Sequence, residues 1–171
     1  MNDSTVTLRI DDPDAMAALG ARIAAEVRAG DVVLLSGELG AGKTTLTRGL
    51  GAALGVRGTV TSPTFVLART HPRTDAPSLV HVDAYRLGGA DELDDLDLAF
   101  DESIVVIEWG AGLIEHLVDE WLAVTIERPT GAAAHAVASD ADLEPIEPRT
   151  VTIEGVGARW SDLGWLHAAG D

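Results

Sequence analysis

The chain has 171 residues, of which 46% are hydrophobic, and its 28 acidic against 12 basic side chains give a formal net charge of −16. This length predicts a single domain, 1–171, whose core needs no covalent cross-link. The absence of cysteine excludes disulfides, thiol catalysis and cysteine-ligated metal sites. Because an acidic surface repels nucleic acid, we expect any role with nucleic acid to run through a partner.

Two further features of the sequence bear on the expected location of the protein and on its basic residues. The sequence contains no run of about 18 apolar residues, and its first residues lack the basic and apolar regions of a signal peptide. We therefore expect a cytoplasmic protein with no membrane association. Eleven of the basic residues are arginine, which leaves Lys43 as the single lysine.

The first part of the chain alternates predicted strands and helices. An alternating segment predicts a strand over 5–10, and an Asp-Pro start followed by apolar residues at helical spacing predicts a helix over 13–28. The apolar run at 32–35 predicts a buried strand. A glycine-rich turn over 37–45 follows, and leucines at helical spacing then predict a second helix, which ends at Gly55.

The remainder of the chain is richer in strands. In chain order we predict extended segments at 59–70, a Pro-containing loop at 71–78, a strand at 79–85, acidic helical turns at 91–102, an apolar strand at 104–107, a short helix at 113–118, a strand at 121–127, a flexible loop at 129–148, a strand at 150–154 and a weakly structured tail at 155–171. This order predicts an α/β three-layer domain with a mixed parallel/antiparallel central sheet.

The turn after the second strand carries a phosphate-binding pattern. Gly37-Glu38-Leu39-Gly40-Ala41-Gly42-Lys43-Thr44 matches G-x-x-x-x-G-K-[ST] in full, with a strand before it and a helix after it. Glycines permit a tight turn whose N–H groups face an anion, and the helix N-terminus adds its positive dipole end. Lys43 can place its charge on the outer phosphates, and Thr44 can give its hydroxyl to Mg²⁺. We therefore predict a P-loop NTPase-like fold whose nucleotide site comprises Gly37, Glu38, Leu39, Gly40, Ala41, Gly42, Lys43, Thr44 and Thr45.

Two acidic residues follow predicted strands. Glu108 ends the apolar strand 104–107, where P-loop proteins place an acidic metal ligand, although Asp is the usual residue. Asp83 lies near the end of the strand 79–85 and could orient the attacking water or hold a metal-bound water. The neighbouring His81 is interpreted as structural.

A hydroxyl-bearing segment follows the P-loop helix. Ser62 and Thr64 could contact the γ-phosphate or sense its loss, as switch loops do, and they could equally form a turn without function.

The single lysine also limits which nucleotide the site is expected to bind. Guanine recognition in GTPases resembles a pattern with a second lysine, and neither the Asp-x-x-Gly switch pattern nor the Leu-Ser-Gly-Gly-Gln pattern of transporter ATPases occurs here. We therefore expect ATP. Only about two dozen residues separate the P-loop helix from the next predicted strand. That length leaves little room for the substrate-binding insertion of a small-molecule kinase.

Taken together, the motifs resemble the TsaE (formerly YjeE) family. The P-loop, Thr61-Ser62-Pro63-Thr64-Phe65, His81-Val82-Asp83-Ala84-Tyr85-Arg86-Leu87 and Glu108-Trp109 are similar to its signatures in order and spacing, over about residues 5–128. The resemblance implies an ATPase that acts with two partners, TsaB and TsaD. These partners transfer a threonylcarbamoyl group to adenosine 37 of tRNAs reading codons that start with A. The chain would then meet tRNA only through the complex.

The resemblance also implies roles for individual residues. Thr44 and Glu108 would be Mg²⁺ ligands, Asp83 would be important for hydrolysis and Trp109 would lie beside the site. We assign catalytic roles to Lys43, Asp83 and Glu108. The family often has Gly-Arg before a late strand, and the counterpart Pro148-Arg149-Thr150 makes Arg149 a predicted ATP contact.

The sequence shows no arginine finger, so we expect slow turnover in isolation and completion of the site by a partner. Two other functions stay open, a small-molecule phosphotransferase and a nucleotide-binding switch subunit that does not hydrolyse.

Overall fold

The computed structural model describes residues 4–38, 40–61, 63, 67–85, 87–95, 99–129 and 147–167. In chain order these residues form β1 (Ser4–Ile10), α1 (Pro13–Glu26), β2 (Val32–Gly37), α2 (Lys43–Leu54), β3 (Ala68–Arg73), β4 (Ala76–Asp83), α3 (Ala90–Asp95), β5 (Ile104–Glu108), β6 (Trp121–Glu127) and β7 (Arg149–Val156), with 3₁₀ turns at Ile114–His116, Ala158–Trp160 and Gly164–Leu166. In this part of the chain no helix is long and apolar enough to cross a membrane.

The strands form one sheet in the order β1-β7-β6-β2-β5-β4-β3. The four central strands, β6, β2, β5 and β4, are parallel to one another, whereas β3, β7 and β1 pair antiparallel with their neighbours. The prediction of a mixed sheet is therefore confirmed. The carboxyl ends of the parallel strands meet at one edge, where ligands bind in open α/β sheets.

Side chains alternate between two apolar layers on either side of this sheet. In β2, Val33 and Leu35 face the layer formed with α1 and α2, while Val32 and Leu34 face the layer that includes Leu93 of α3 and the 3₁₀ turn at Ile114–His116. Burial on both faces explains why the central strands are continuous apolar runs. The result is the predicted three-layer arrangement.

α1 packs directly on α2, the helix that follows the phosphate-binding pattern. Asp12 caps α1, its Oδ1 accepting from the Ala15 N–H at 2.7 Å, with Pro13 as the first helical residue. The two helices approach very closely, because a Cβ at Gly49 would lie 2.1 Å from the Ala17 carbonyl oxygen. This contact fixes the position of α2 over the sheet.

The structure differs from the prediction between residues 59 and 85. The predicted loop at 71–78 is a hairpin, since β3 runs to Arg73 and β4 begins at Ala76. Pro72 is compatible with a strand here because, among the strands that the structure describes, β3 lies at the edge of the sheet and pairs only with β4. Of the predicted extended segments at 59–70, only the last residues belong to a strand, and 62 and 64–66 lie outside the described residues.

The C-terminal segment also differs from the weakly structured tail expected at 155–171. β7 continues to Val156, and the two following 3₁₀ turns bury Trp160, Leu163 and Leu166 in the α1–α2 layer. Three apolar side chains anchor the segment without helical or strand periodicity, so the pattern did not indicate structure. Residues 130–146 of the predicted loop at 129–148 and residues 168–171 of the tail lie outside the described residues.

Candidate functional site

A cleft of about 640 Å³ lies at the carboxyl edge of the parallel strands. It is bounded by the β2–α2 loop and by the ends of β4 and β5. Its lining residues are Glu38, Gly40, Gly42, Lys43, Thr44, Thr45, Asp83, Tyr85, Glu108 and Trp109. Eight of these ten are residues that the sequence analysis assigned to a nucleotide or metal site.

The β2–α2 loop has the backbone that its glycines predict. Gly42 precedes α2 with φ at 118°, in the left-handed region that favours glycine, and no side chain caps the helix. Within the loop the Ala41 N–H donates to the Glu38 carbonyl at 3.0 Å. An uncapped helix N-terminus behind a tight glycine-rich loop is suited to bind a phosphate group.

Lys43 begins α2 and is almost fully buried in the cleft wall. Its Nζ donates to the carbonyls of Gly37 and Glu38, at 2.5 and 3.2 Å, and lies 4.6 Å from the centroid of the Trp109 ring. Burial lowers the pKa of Lys43, while the charges of Glu108 and Asp83 oppose this shift. The ammonium group is therefore held at the loop by oxygen atoms and by nearby negative charge.

Asp83 and Glu108 lie side by side because β4 and β5 are parallel and in register at these two residues. Strand alternation places them on the face of the sheet that carries α2, since Leu79 and Val106 belong to the same layer. Both carboxylates are buried. The strand order, rather than sequence proximity, thus brings two acids and a lysine to one cleft.

Each carboxylate has a close polar neighbour, and only that of Asp83 makes a hydrogen bond. The Asp83 Oδ1 accepts from the Tyr85 N–H at 3.0 Å. The Glu108 Oε2 lies 3.2 Å from the Nε2 of His81, although the direction of the ring N–H does not meet hydrogen-bond geometry. His81 is completely buried and does not line the cleft. It therefore lies next to Glu108 on the buried side of the site.

The donor set of the cleft fits Mg²⁺. Thr44 offers a hydroxyl, and Asp83 and Glu108 offer carboxylate oxygens, which are the hard ligands this ion prefers. Over the described residues, no three His, Asp or Glu side chains are grouped to hold a metal ion. Mg²⁺ does not need such a cage, because it keeps several waters and takes few protein ligands.

The other predicted site residues are distributed as follows. Gly37 contributes its carbonyl to Lys43, and Ala41 is buried in the loop rather than lining the cleft. Leu39, Ser62 and Thr64 lie outside the described residues.

Arg149 is placed beside the loop, not among the residues that line the cleft. Its Nε donates to the Ala41 carbonyl at 3.1 Å, and its Nη2 donates to the Gly40 carbonyl at 3.5 Å. The predicted ATP contact therefore meets the phosphate-binding loop from outside the cleft.

The sequence analysis missed Tyr85 as a site residue. Its ring makes an edge contact with Trp109 at 5.4 Å between centroids, and both rings are exposed at the cleft mouth. An aromatic residue two positions after a strand-end carboxylate was the available signal. Trp109 has φ at 62°, which is uncommon for a bulky residue. This backbone conformation accompanies the placement of its ring over Lys43.

A parallel sheet core with a glycine-rich loop between a buried strand and a helix defines a P-loop α/β protein. The family model described as Threonylcarbamoyl adenosine biosynthesis protein TsaE matches residues 10–136. The chain therefore belongs to the TsaE family, as the resemblance of its motifs predicted. The matched range includes the loop, Asp83 and Glu108 but ends before Arg149.

Curated relatives and a solved structure agree with this assignment. A Streptomyces coelicolor protein named tRNA threonylcarbamoyladenosine biosynthesis protein TsaE is 55% identical over 150 residues, covering 85% of this chain and 94% of the relative. The Bacillus subtilis protein of the same name is 34% identical over 158 residues, covering 91% and 89%. A crystal structure of Bacillus subtilis YdiB superposes with a TM-score of 0.67 at 30% identity, covering 92% of this chain and 90% of that one.

Proposed function

We propose that the chain is a Mg²⁺-dependent ATPase subunit of tRNA threonylcarbamoyladenosine biosynthesis that acts with TsaB and TsaD homologues. Family membership and the names of the relatives support the pathway. The observation that carries the activity is the convergence of Lys43, Asp83 and Glu108 on one cleft beside the phosphate-binding loop. The transfer of the threonylcarbamoyl group itself belongs to the partners in this proposal.

In the proposed mechanism, loop N–H groups and Lys43 bind the β- and γ-phosphates. Thr44 and Glu108 would hold Mg²⁺, which when bound neutralises charge on the phosphate oxygens. Asp83 orients the attacking water or a water of the metal, and its own orientation is fixed by the Tyr85 N–H. Ser62 and Thr64 report the γ-phosphate state to a partner.

The electrostatics of the cleft support this division of roles. Burial works against the charged form of Lys43, and the carboxylates of Glu108 and Asp83 work in its favour. The two acids therefore favour the charged form of the lysine, which is the form that binds phosphate, in addition to their proposed roles at the metal and the water. A phosphate group can replace the loop carbonyls as the acceptor of the lysine hydrogen bonds.

The requirement for partners follows from charge and from the composition of the cleft. No arginine is among the residues that line the cleft in the described part of the chain, which supports completion of the site by a partner. The formal net charge of −16 opposes direct binding of tRNA. We therefore propose slow hydrolysis by the isolated chain, acceleration by TsaB and TsaD, and contact with tRNA only through them.

Phosphate release from Mg-ATP, measured with and without purified TsaB and TsaD homologues of the same organism, tests this function. Lys43→Ala is the loss-of-function variant. Arg57→Ala is the matched control, because it removes a positive charge outside the cleft lining, whose guanidinium donates to the hydroxyl of Thr74, and it keeps the bond from the Arg57 backbone N–H to the Pro72 carbonyl. We expect hydrolysis that depends on Lys43, is unaffected in Arg57→Ala and rises with both partners present.

Two other results would redirect the proposal. Tight ATP or ADP binding without phosphate release under any condition would leave a nucleotide-binding switch subunit. Transfer of the γ-phosphate to a small acceptor would instead indicate a phosphotransferase. Turnover of many ATP per second by the isolated chain would contradict completion of the site by a partner.

A further inference from the structure

The start of β7 is tied to the outer side of the phosphate-binding loop. Arg149, whose side chain is 18% exposed, donates to the carbonyls of Gly40 and Ala41, as described above. Its Nη1 donates to the Glu147 carbonyl at 3.0 Å and lies 3.4 Å from the Glu147 Oε2. The same Oε2 is 3.4 Å from the Nη2 of Arg128. Glu147 therefore holds the guanidinium in place against the loop.

The sheet fixes this arrangement from two sides. Arg149 pairs with Ile10 of β1, and the next residue, Thr150, pairs with Glu127 of β6. The guanidinium is thus attached to a strand that cannot move independently of the sheet. A contact across 108 positions of the sequence links this strand to the loop.

The effect on the loop follows from the geometry of the peptide group. In a trans peptide the C=O and the next N–H point in opposite directions. When Arg149 holds the Ala41 carbonyl, the Gly42 N–H is directed away from Arg149. The Gly40–Ala41 peptide is held at both ends, since its carbonyl accepts from Arg149 and its N–H donates to the Glu38 carbonyl.

A charged donor also polarises the peptide that it contacts. Hydrogen bonds in a chain strengthen one another, so a guanidinium on the Ala41 carbonyl makes the Gly42 N–H a better donor. Gly42 lines the cleft at the start of α2. Arg149 can therefore act on a phosphate through the loop without touching it.

We propose that Arg149, held by Glu147, is a positioning residue that fixes the phosphate-binding loop through its outer carbonyls and thereby sets its affinity for phosphates. This role differs from a direct contact with ATP, which stays a sequence-based prediction for Arg149. The proposal rests on the proposed function only in that the loop binds phosphate.

The test compares a ligand that has only phosphates with one that also has a base and a sugar. Affinities for tripolyphosphate and for ATP, both with Mg²⁺, are measured by calorimetry for Arg149→Ala, Arg149→Lys and Glu147→Gln, with Arg57→Lys as the control. A positioning role predicts that Arg149→Ala lowers the affinity for both ligands by the same factor, about tenfold for the loss of a charge-assisted hydrogen bond. In steady-state turnover with the partners, Arg149→Ala should raise the KM for ATP and leave kcat unchanged.

The two conservative variants separate geometry from charge. Lysine keeps the charge but lacks the planar guanidinium that reaches two carbonyls. Arg149→Lys should therefore show most of the loss of affinity seen in Arg149→Ala. Glu147→Gln should also lower the affinity for both ligands, by a smaller factor. A wild-type affinity in Arg149→Lys would show that only the charge matters and would overturn the proposal. Weakening of ATP alone would identify a direct nucleotide contact and would overturn it as well.

Amide hydrogen exchange of the ligand-free protein gives a readout that needs no nucleotide. We expect faster exchange over residues 40–43 in Arg149→Ala, with the strands and α1 unchanged, and no change in Arg57→Lys. Unchanged exchange at the loop would contradict the positioning role. If the wild-type chain bound Mg-ATP but released no phosphate under any condition, while Arg149→Ala still weakened binding and speeded exchange at the loop, the ATPase proposal would fail and the positioning role would stand.

Discussion

Gly49→Ala tests how closely α1 and α2 must pack to hold the phosphate-binding loop. The added Cβ would lie 2.1 Å from the Ala17 carbonyl oxygen and 2.6 Å from its Cα, distances that real Cβ atoms essentially never show. The obstacle is backbone, so the helices themselves must separate. Overpacking of this kind costs about 1–3 kcal/mol, and replacing glycine by alanine in a helix returns about 1 kcal/mol. From the upper end of that range we expect a net loss of about 2 kcal/mol.

Thermal and urea unfolding measure this loss. For a domain of this length, 2 kcal/mol corresponds to a decrease in Tm of about 4–8 °C. Gly89→Ala is the matched control, because its Cβ meets nothing within 4 Å and its φ is not in the left-handed region. We expect that control to stay within about 0.5 kcal/mol of wild type. A Gly49→Ala protein as stable as wild type would refute the inferred close approach of the two helices.

Three further predictions concern the site and its surroundings. Burial, together with His81 and Arg69, lowers the pKa of His71, so the folded protein loses stability as the pH falls below about 6.5. In urea titrations at neutral and acidic pH, His71→Asn should reduce this dependence, by at most about 1.4 kcal/mol per pH unit. Glu108→Gln should remove most of the Mg²⁺-dependent gain in ATP affinity, measured by titration with and without Mg²⁺, whereas an unchanged gain would remove Glu108 from the metal site. ATP should change tryptophan emission by displacing the Lys43 ammonium from the Trp109 ring, and Trp109→Phe should abolish that change, since the cleft lining contains no other tryptophan of the described chain.

The sequence predicted the centre of the fold because its parallel strands are buried on both faces. The apolar runs of β2 and β5 indicated central strands, and the glycine pattern after β2 indicated the position of α2. Carboxylates at the ends of two predicted strands were assigned to the metal and to water, and the parallel pairing of β4 with β5 brings Asp83 and Glu108 together. Residues at strand ends are thus predictable once the strands are known to be parallel.

Prediction from the sequence was weaker where the structure depends on a strand's position at the edge of the sheet or on isolated buried side chains. Pro72 indicated a loop because a central strand excludes proline, but the edge position of β3 could not be deduced from its own residues. Trp160, Leu163 and Leu166 anchor the C-terminal segment without a regular spacing. In both cases the deciding fact is the position of the segment relative to distant strands.

Arg149 shows the same limit at the site itself. The family pattern placed an arginine near the nucleotide but gave no indication of which atoms it would contact. The antiparallel pairing of β7 with β1 and β6 directs its guanidinium to the loop carbonyls, on the side of the loop that does not line the cleft. Lys43 and Arg149 thus act on the same loop from two sides, the lysine from the cleft and the arginine from outside it. Because β7 is hydrogen-bonded to both of its neighbours, the sheet itself holds the guanidinium at the loop, and in the proposed role the phosphate affinity of the cleft depends on a side chain that does not line it.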